Sequence, residues 1–216
     1  MKRLNLFKYG LTALMMAFAM TLCYSCSSDD DEETNQEVNP PSNGESEISG
    51  TIDGHDYVVL AGIKWATENV GEVERLKAIA KDSIYGYYYT QSAASRAARS
   101  WGKEHGYGWK LPTEAQWQKL IDECDWEWTE DYDGKKGYIV RSKDIYIPKW
   151  RLKYYIFLPV AGYYNGIDNG LHFRGKCGLF CTSDKERLLY FLKGNKNIID
   201  NYEDENSGMS VRPVAN

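Results

Sequence analysis

The stretch Trp109-Lys110-Leu111-Pro112-Thr113-Glu114-Ala115-Gln116-Trp117-Gln118-Lys119-Leu120-Ile121-Asp122-Glu123-Cys124 holds the strongest local signal in the chain. Thr113 is a good helix N-cap, and Gln116 three positions later completes a capping box. In that motif each side chain satisfies a backbone N–H that the first helical turn leaves without a partner. Trp117, Leu120, Ile121 and Cys124 then recur at helical spacing, so a helix is predicted here with these side chains on its core face. Upstream, residues 92–104 carry Ala94, Ala97, Ala98 and Trp101 at the same spacing, with Gly106 placed as a C-terminal cap. Further upstream, Ile52 and Tyr57-Val58-Val59-Leu60 flank the turn pair Asp53-Gly54, and Ile63-Lys64-Trp65-Ala66 continues as a strand. Downstream, the apolar runs at 137–140, 156–161, 188–192 and 209–214 are separated by Gly- and Asn-rich loops and read as strands. Two helices with several short, mostly antiparallel strands define an α+β domain.

The front of the chain has a different texture. Lys2, Arg3 and Lys8 precede an apolar run at 11–22, the length of a signal-peptide core and too short to span a bilayer comfortably. Ser25 is the small residue that a bacterial lipobox places before its modified cysteine, which makes Cys26 the expected lipid acceptor. Leu22 is too bulky to serve Cys23 in the same way. More than one acyl chain on Cys26 would hold the protein stably at a membrane. The run Ser27-Ser28-Asp29-Asp30-Asp31-Glu32-Glu33 follows, and residues to about 49 stay polar, with Pro40-Pro41-Ser42-Asn43-Gly44 among them. Like charges and scarce apolar side chains keep such a segment extended. The expected organisation is therefore a signal peptide at 1–25, an acidic disordered tether at 26–49 and a folded domain at 50–216.

Hydrophobic residues make up 43% of the 216 positions, which excludes a wholly disordered chain. Eight of the 31 acids but only three of the 26 bases lie before residue 50, so the net charge of −5 belongs to the front end and the body is neutral. A neutral body has no long-range field for nucleic acid, and no such partner is expected. The 17 Tyr and 7 Trp suit a core and half-buried surface rich in amphipathic rings.

Several segments, taken in order, resemble a known family. They are Gly62-Ile63-Lys64-Trp65-Ala66-Thr67-Glu68-Asn69-Val70-Gly71, Tyr85-Gly86-Tyr87-Tyr88-Tyr89, Trp109-Lys110-Leu111-Pro112-Thr113-Glu114 and Cys124-Asp125-Trp126-Glu127-Trp128-Thr129. Gly137-Tyr138, Ile156-Phe157-Leu158-Pro159-Val160-Ala161-Gly162-Tyr163 and Gly208-Met209-Ser210-Val211-Arg212-Pro213-Val214 complete the set. Together they are similar to the Fibrobacter succinogenes major paralogous domain, a module of Bacteroidetes surface lipoproteins, over about residues 50–215. The acidic run after Cys26 likewise resembles the surface-export signal of those lipoproteins. The resemblance implies a C-type-lectin-like fold, distantly allied to formylglycine-generating enzymes. Its two ends would pair as strands, so that 209–214 meets the strands near 50–60, and ligand-facing loops would fill its second half. It implies no activity. Where relatives show Gly-x-x-Gly-x-Tyr-Trp-Ser-Ser, this chain has Gly175-Lys176-Cys177-Gly178-Leu179-Phe180-Cys181-Thr182-Ser183, which removes aromatic contacts from that place.

For chemistry, the richest segment is Tyr163-Tyr164-Asn165-Gly166-Ile167-Asp168-Asn169-Gly170-Leu171-His172-Phe173-Arg174. Tyr163 and Tyr164 offer flat faces for a sugar or a protein. Asn165, Asp168, Asn169, His172 and Arg174 offer hydrogen bonds. A plain hairpin connection has the same composition, and both readings stand at this point. Residues 184–187 are a possible neighbour to the site. Cys177 and Cys181 form a disulfide if a turn brings them together, or hold Cu(I) as soft ligands, the basis of an alternative reading as a copper-dependent cysteine oxidase. Cys124 continues the helix face and reads as core. His55, His105 and His172 have no metal spacing, and no catalytic triad or paired carboxylates stand out. Asp131-Tyr132-Asp133-Gly134 reads as a hairpin turn rather than a calcium loop, and residues 200–206 as a solvated acidic loop. The expectation is a surface lipoprotein with a non-catalytic binding or adhesion domain, without cofactor or metal. A third alternative is a structural subunit of a surface assembly.

Overall fold

Two-residue turns set the start of the domain. Strands β1 (Ser49–Ile52), β2 (His55–Leu60) and β3 (Ile63–Ala66) form an antiparallel meander. Both of its turns, Asp53-Gly54 and Ala61-Gly62, have positive φ at each central residue. That is the hairpin turn whose twist matches the flanking strands. The computed structural model describes residues 48–74, 76–102, 108–143, 154–201 and 203–216. The expected signal peptide, Cys26, nearly all of the tether and the Gly106 cap lie outside the described residues.

Strands β4 (Ala80–Asp82) and β5 (Gly86–Thr90) lead into helix α1 (Gln91–Arg99), where the Thr90 hydroxyl caps the first turn by accepting from the Ala93 N–H. Ala94, Ala97 and Ala98 face inward, as their spacing predicts. Helix α2 (Glu114–Glu123) has the expected capping box: the Gln116 N–H donates to Thr113 Oγ1 at 3.1 Å, and the Thr113 N–H to Gln116 Oε1 at 2.9 Å. Trp117 and Leu120 are fully buried.

The helix ends one residue before Cys124, which opens a strand, β6 (Cys124–Tyr132), that the helical pattern hides. Trp126 and Trp128 alternate there with exposed Asp125 and Glu127, a period of two. Strands β7 (Lys135–Ser142) and β8 (Ile156–Pro159) complete an antiparallel three-stranded sheet with β6. Asp133 and Gly134, both at positive φ, make the β6–β7 turn, and Asp131 Oδ1 accepts from the Gly134 N–H. The segment 131–134 is therefore a hairpin turn.

The second half consists of β9 (Tyr163–Asn165), β10 (Gly170–His172), β11 (Gly178–Cys181), β12 (Arg187–Leu192), β13 (Asn195–Asp200), β14 (Gly208–Met209) and β15 (Val214–Ala215). Strands β11, β12 and β13 form an antiparallel sheet, and a five-stranded sheet runs in the order β10-β9-β14-β5-β4. The final segment departs from the expected single strand. It splits in two: β14 lies between β5 and β9, whereas β15 pairs with β3, in the same sheet as β1 and β2 but not beside them. Pro213 separates the two pieces, and its carbonyl accepts from the Ala66 N–H.

Two apolar clusters fill the interior. Around α1 gather Tyr89, Trp101, Trp109, Cys177, Cys181 and Met209. Around α2, Trp117 lies 4.6 Å from Trp65 and 5.8 Å from Phe180, ring centre to ring centre. The architecture is α+β with predominantly antiparallel strands.

Candidate functional site

Residues 163–174 fold as the β9–β10 hairpin, with Gly170 opposite Asn165 and His172 opposite Tyr163. Its polar side chains work on the hairpin itself. Asn165 Oδ1 accepts from the Ile167 N–H at 2.8 Å, and Asp168 Oδ1 from the Gly170 N–H at 2.9 Å. The other Asp168 oxygen meets His172 Nε2 at 2.7 Å, and the Tyr164 hydroxyl donates to Asn169 Oδ1 at 2.7 Å. Arg174 Nε bridges at 2.8 Å to the buried Asp82, which also accepts from the N–H groups of Ile84 and Tyr85. The seven residues singled out from sequence are thus brought together, but mainly as a scaffold.

Tyr163 is only 8% exposed and belongs to the core, so its ring offers no stacking face to solvent. Burial raises its hydroxyl pKa. The exposed surface comes instead from residues the polar reading passed over. Ile167 is 77% and Phe173 55% exposed. Phe173 also has φ of +54°, a region that a bulky L-residue occupies only under constraint. Its carbonyl accepts from the N–H groups of Lys176 and Cys177, which holds that shape. Gly162 fixes the hairpin from behind: a Cβ there would sit 1.9 Å from the His172 carbonyl oxygen, so only glycine allows this approach.

A second feature carries no warning in local sequence except an arginine inside an apolar strand-like run. The Arg212 side chain is 2% exposed. Its Nε donates to Asn69 Oδ1 at 2.9 Å, Nη1 to the Ala66 carbonyl at 2.8 Å and Nη2 to the Phe157 carbonyl at 2.7 Å. All three acceptors are neutral, and among the described residues no carboxylate forms an ion pair with it. Burial pulls the guanidinium down to about 9, with Glu68 and Tyr132 opposing that shift. Arg212 floors a recess of about 360 Å³ lined by Tyr85, Tyr132, Phe157, Thr67 and Lys135 among others. The Tyr132 and Phe157 rings stack at 4.3 Å.

The three cysteines among the described residues do not converge on a site. Cys124, Cys177 and Cys181 are free and buried. Cys177 directly precedes β11 and Cys181 ends it; the three extended steps from 178 to 181 alone cover about 10 Å, and no disulfide joins the two cysteines. Both thiols are free and buried, and among the described residues no further metal-ligating side chains converge with them, so the oxidase reading gains no support. Burial pushes the thiols up to about 11 for Cys177 and about 12 for Cys124 and Cys181, against the thiolate a ligand or nucleophile needs. Arg187 is drawn to Glu114 and Asp200, and Thr182 Oγ1 to the carbonyls of Asp184 and Arg187, so 184–187 is an internally braced turn. In the acidic loop, Asp204 Oδ1 accepts from the Asn206 N–H. Among the described residues no group of three or more His, Cys, Asp or Glu side chains converges. No protein-family model, curated protein or solved structure matches the chain.

Proposed function

We propose that this chain is an exported lipoprotein, anchored in the outer membrane and exposed at the cell surface through lipid on Cys26, whose C-type-lectin-like domain at 50–216 binds a ligand without catalysis. The observation that carries the binding role is the β9–β10 hairpin. Its polar groups are satisfied within the hairpin or by Asp82 and Ser207 beside it, while Ile167 and the constrained Phe173 stand exposed. Such a surface is ordered before it meets a partner, so association does not have to order it. Large apolar side chains held in solvent favour a protein ligand over a glycan. The motifs quoted above support the lectin-like assignment, and the signal-like front end supports the anchor.

The binding test is a screen of the purified chain against surface proteins and glycans. The double variant Ile167→Ser with Phe173→Ser should weaken any specific binder by about tenfold or more with little change in thermal stability, because both side chains are exposed. Retention of full affinity by the double variant would move the site off the hairpin. The anchor test is Cys26→Ala, which should abolish lipid labelling and release the protein from the membrane fraction. Full labelling of that variant would reassign the acceptor to Cys23.

A further inference from the structure

We propose that the recess floored by Arg212 binds the carboxylate of an acidic sugar of the hexuronic acid class. A guanidinium carries five N–H donors, and three protein acceptors engage Arg212. The acceptors are an amide and two carbonyls, so hydrogen bonding is partly met while the charge is not neutralised. A buried cation without a counter-charge is costly, and an anion bound beside it would offset that cost. The one carboxylate that raises the Arg212 pKa, Glu68, is engaged by His55 Nδ1 at 3.1 Å.

The recess narrows the anion to one chemistry. Its volume of about 360 Å³ suits a single sugar ring rather than a chain of them. Tyr85, Tyr132 and Phe157 give it the aromatic walls that pack against the C–H face of a pyranose. The Asn69 side-chain NH2 can donate to a sugar hydroxyl while its oxygen holds Arg212, the Thr67 oxygen can accept while its proton goes to the Asp56 carbonyl, and Lys135 adds a second positive charge. Glu68, which also lines the recess, opposes a dianion, so a singly charged planar carboxylate fits better than phosphate. The planar guanidinium fork suits such a group. The site is separate from the hairpin, and none of the hairpin residues lines it.

The experiment is a calorimetric and NMR titration of the purified chain with glucuronate, glucose, acetate and inorganic phosphate. Glucuronate should bind saturably, and glucose, acetate and phosphate each about tenfold or more weaker. Tyr85→Ala and Lys135→Glu should each lower glucuronate affinity about tenfold without changing the melting temperature, whereas the hairpin double variant should leave it intact. Arg212→Lys keeps the charge but not the fork and should abolish binding. Because Arg212 also ties three segments together, Arg212→Lys is read only if it folds, and the two wall variants decide otherwise. Absence of saturable glucuronate binding overturns the proposal, as does glucose binding equally well. Equal binding of phosphate or acetate overturns the sugar assignment. Comparing free glucuronate with a glucuronate-terminated oligosaccharide then identifies whether the source is a free sugar or a glycan end.

Discussion

Replacing Trp117 by alanine is the sharpest test of how the domain is packed. The side chain is fully buried between Trp65 and Phe180 and sits on the face of α2 that the sequence marks as core. A buried indole removes about 150–250 Å² from water, which at about 25 cal/mol per Å² corresponds to roughly 4–6 kcal/mol. Its Nε1 donates to the Cys181 carbonyl at 3.4 Å, a long bond whose loss adds little. Partial collapse of the neighbouring rings reduces the net effect, so a loss of about 3–5 kcal/mol is expected. Against a total stability of about 5–15 kcal/mol, the variant should remain folded but sit close to its limit. Thr113→Ala, which removes the cap of the same helix, should cost only about 1 kcal/mol. Lys119→Ala, on the exposed face, should be near neutral. Urea unfolding followed by far-UV circular dichroism reads all three without relying on tryptophan emission. A loss below about 1 kcal/mol at Trp117, with unchanged m-value, would show that α2 does not seal this core.

Tyr88→Phe should cost about 1–3 kcal/mol, because its buried hydroxyl donates to the Ala161 carbonyl at 2.7 Å and that acceptor would be left unsatisfied; an isoenergetic variant in thermal melts would mean that water replaces the bond. Stability should also fall in alkali. The three thiols have raised pKa values in the folded state, so their contribution is intact below pH 9 and is lost as pH rises toward 11–12. At pH 10 this amounts to roughly 1 kcal/mol for each thiol. A variant with Cys124, Cys177 and Cys181 all replaced by alanine should lose less stability over that interval than the native chain, the remainder coming from buried tyrosines such as Tyr88 and Tyr89, whose pKa values burial also raises; an equal loss in both would show that the thiols do not contribute. Native thiols at 124, 177 and 181 should resist alkylation until the domain unfolds; recovery of a 177–181 disulfide peptide from a non-reduced digest would contradict the extended β11.

Local chemistry made much of the framework legible. The capping box and inward face of α2 and the Asp53-Gly54 and Asp133-Gly134 turns depend on residues no more than a few positions apart. Strand β6 was hidden because Cys124 fits both the end of the helical face and the start of an alternating strand, and only the Trp126–Trp128 spacing separates the two. The division of the last segment into β14 and β15 was not readable, since each partner lies on a distant strand. At the hairpin, the polar residues were visible but their role was not: hydrogen-bonding side chains look the same in sequence whether they hold a ligand or their own turn. Arg212 gave the least warning, because the Ala66 carbonyl that receives it stands 146 positions earlier.

The way β15 and Arg212 reach back to β3 also sets the order of events as the chain is made. The sheet begun by β1, β2 and β3 has no fourth strand until residues 214 and 215 emerge, and the carbonyls awaiting Arg212 stay unclaimed until then. The meander can form early, but its completion waits for residues 214 and 215. A nascent chain halted before residue 214 keeps an open sheet edge, the condition in which a protease or neighbouring strand can still seize it.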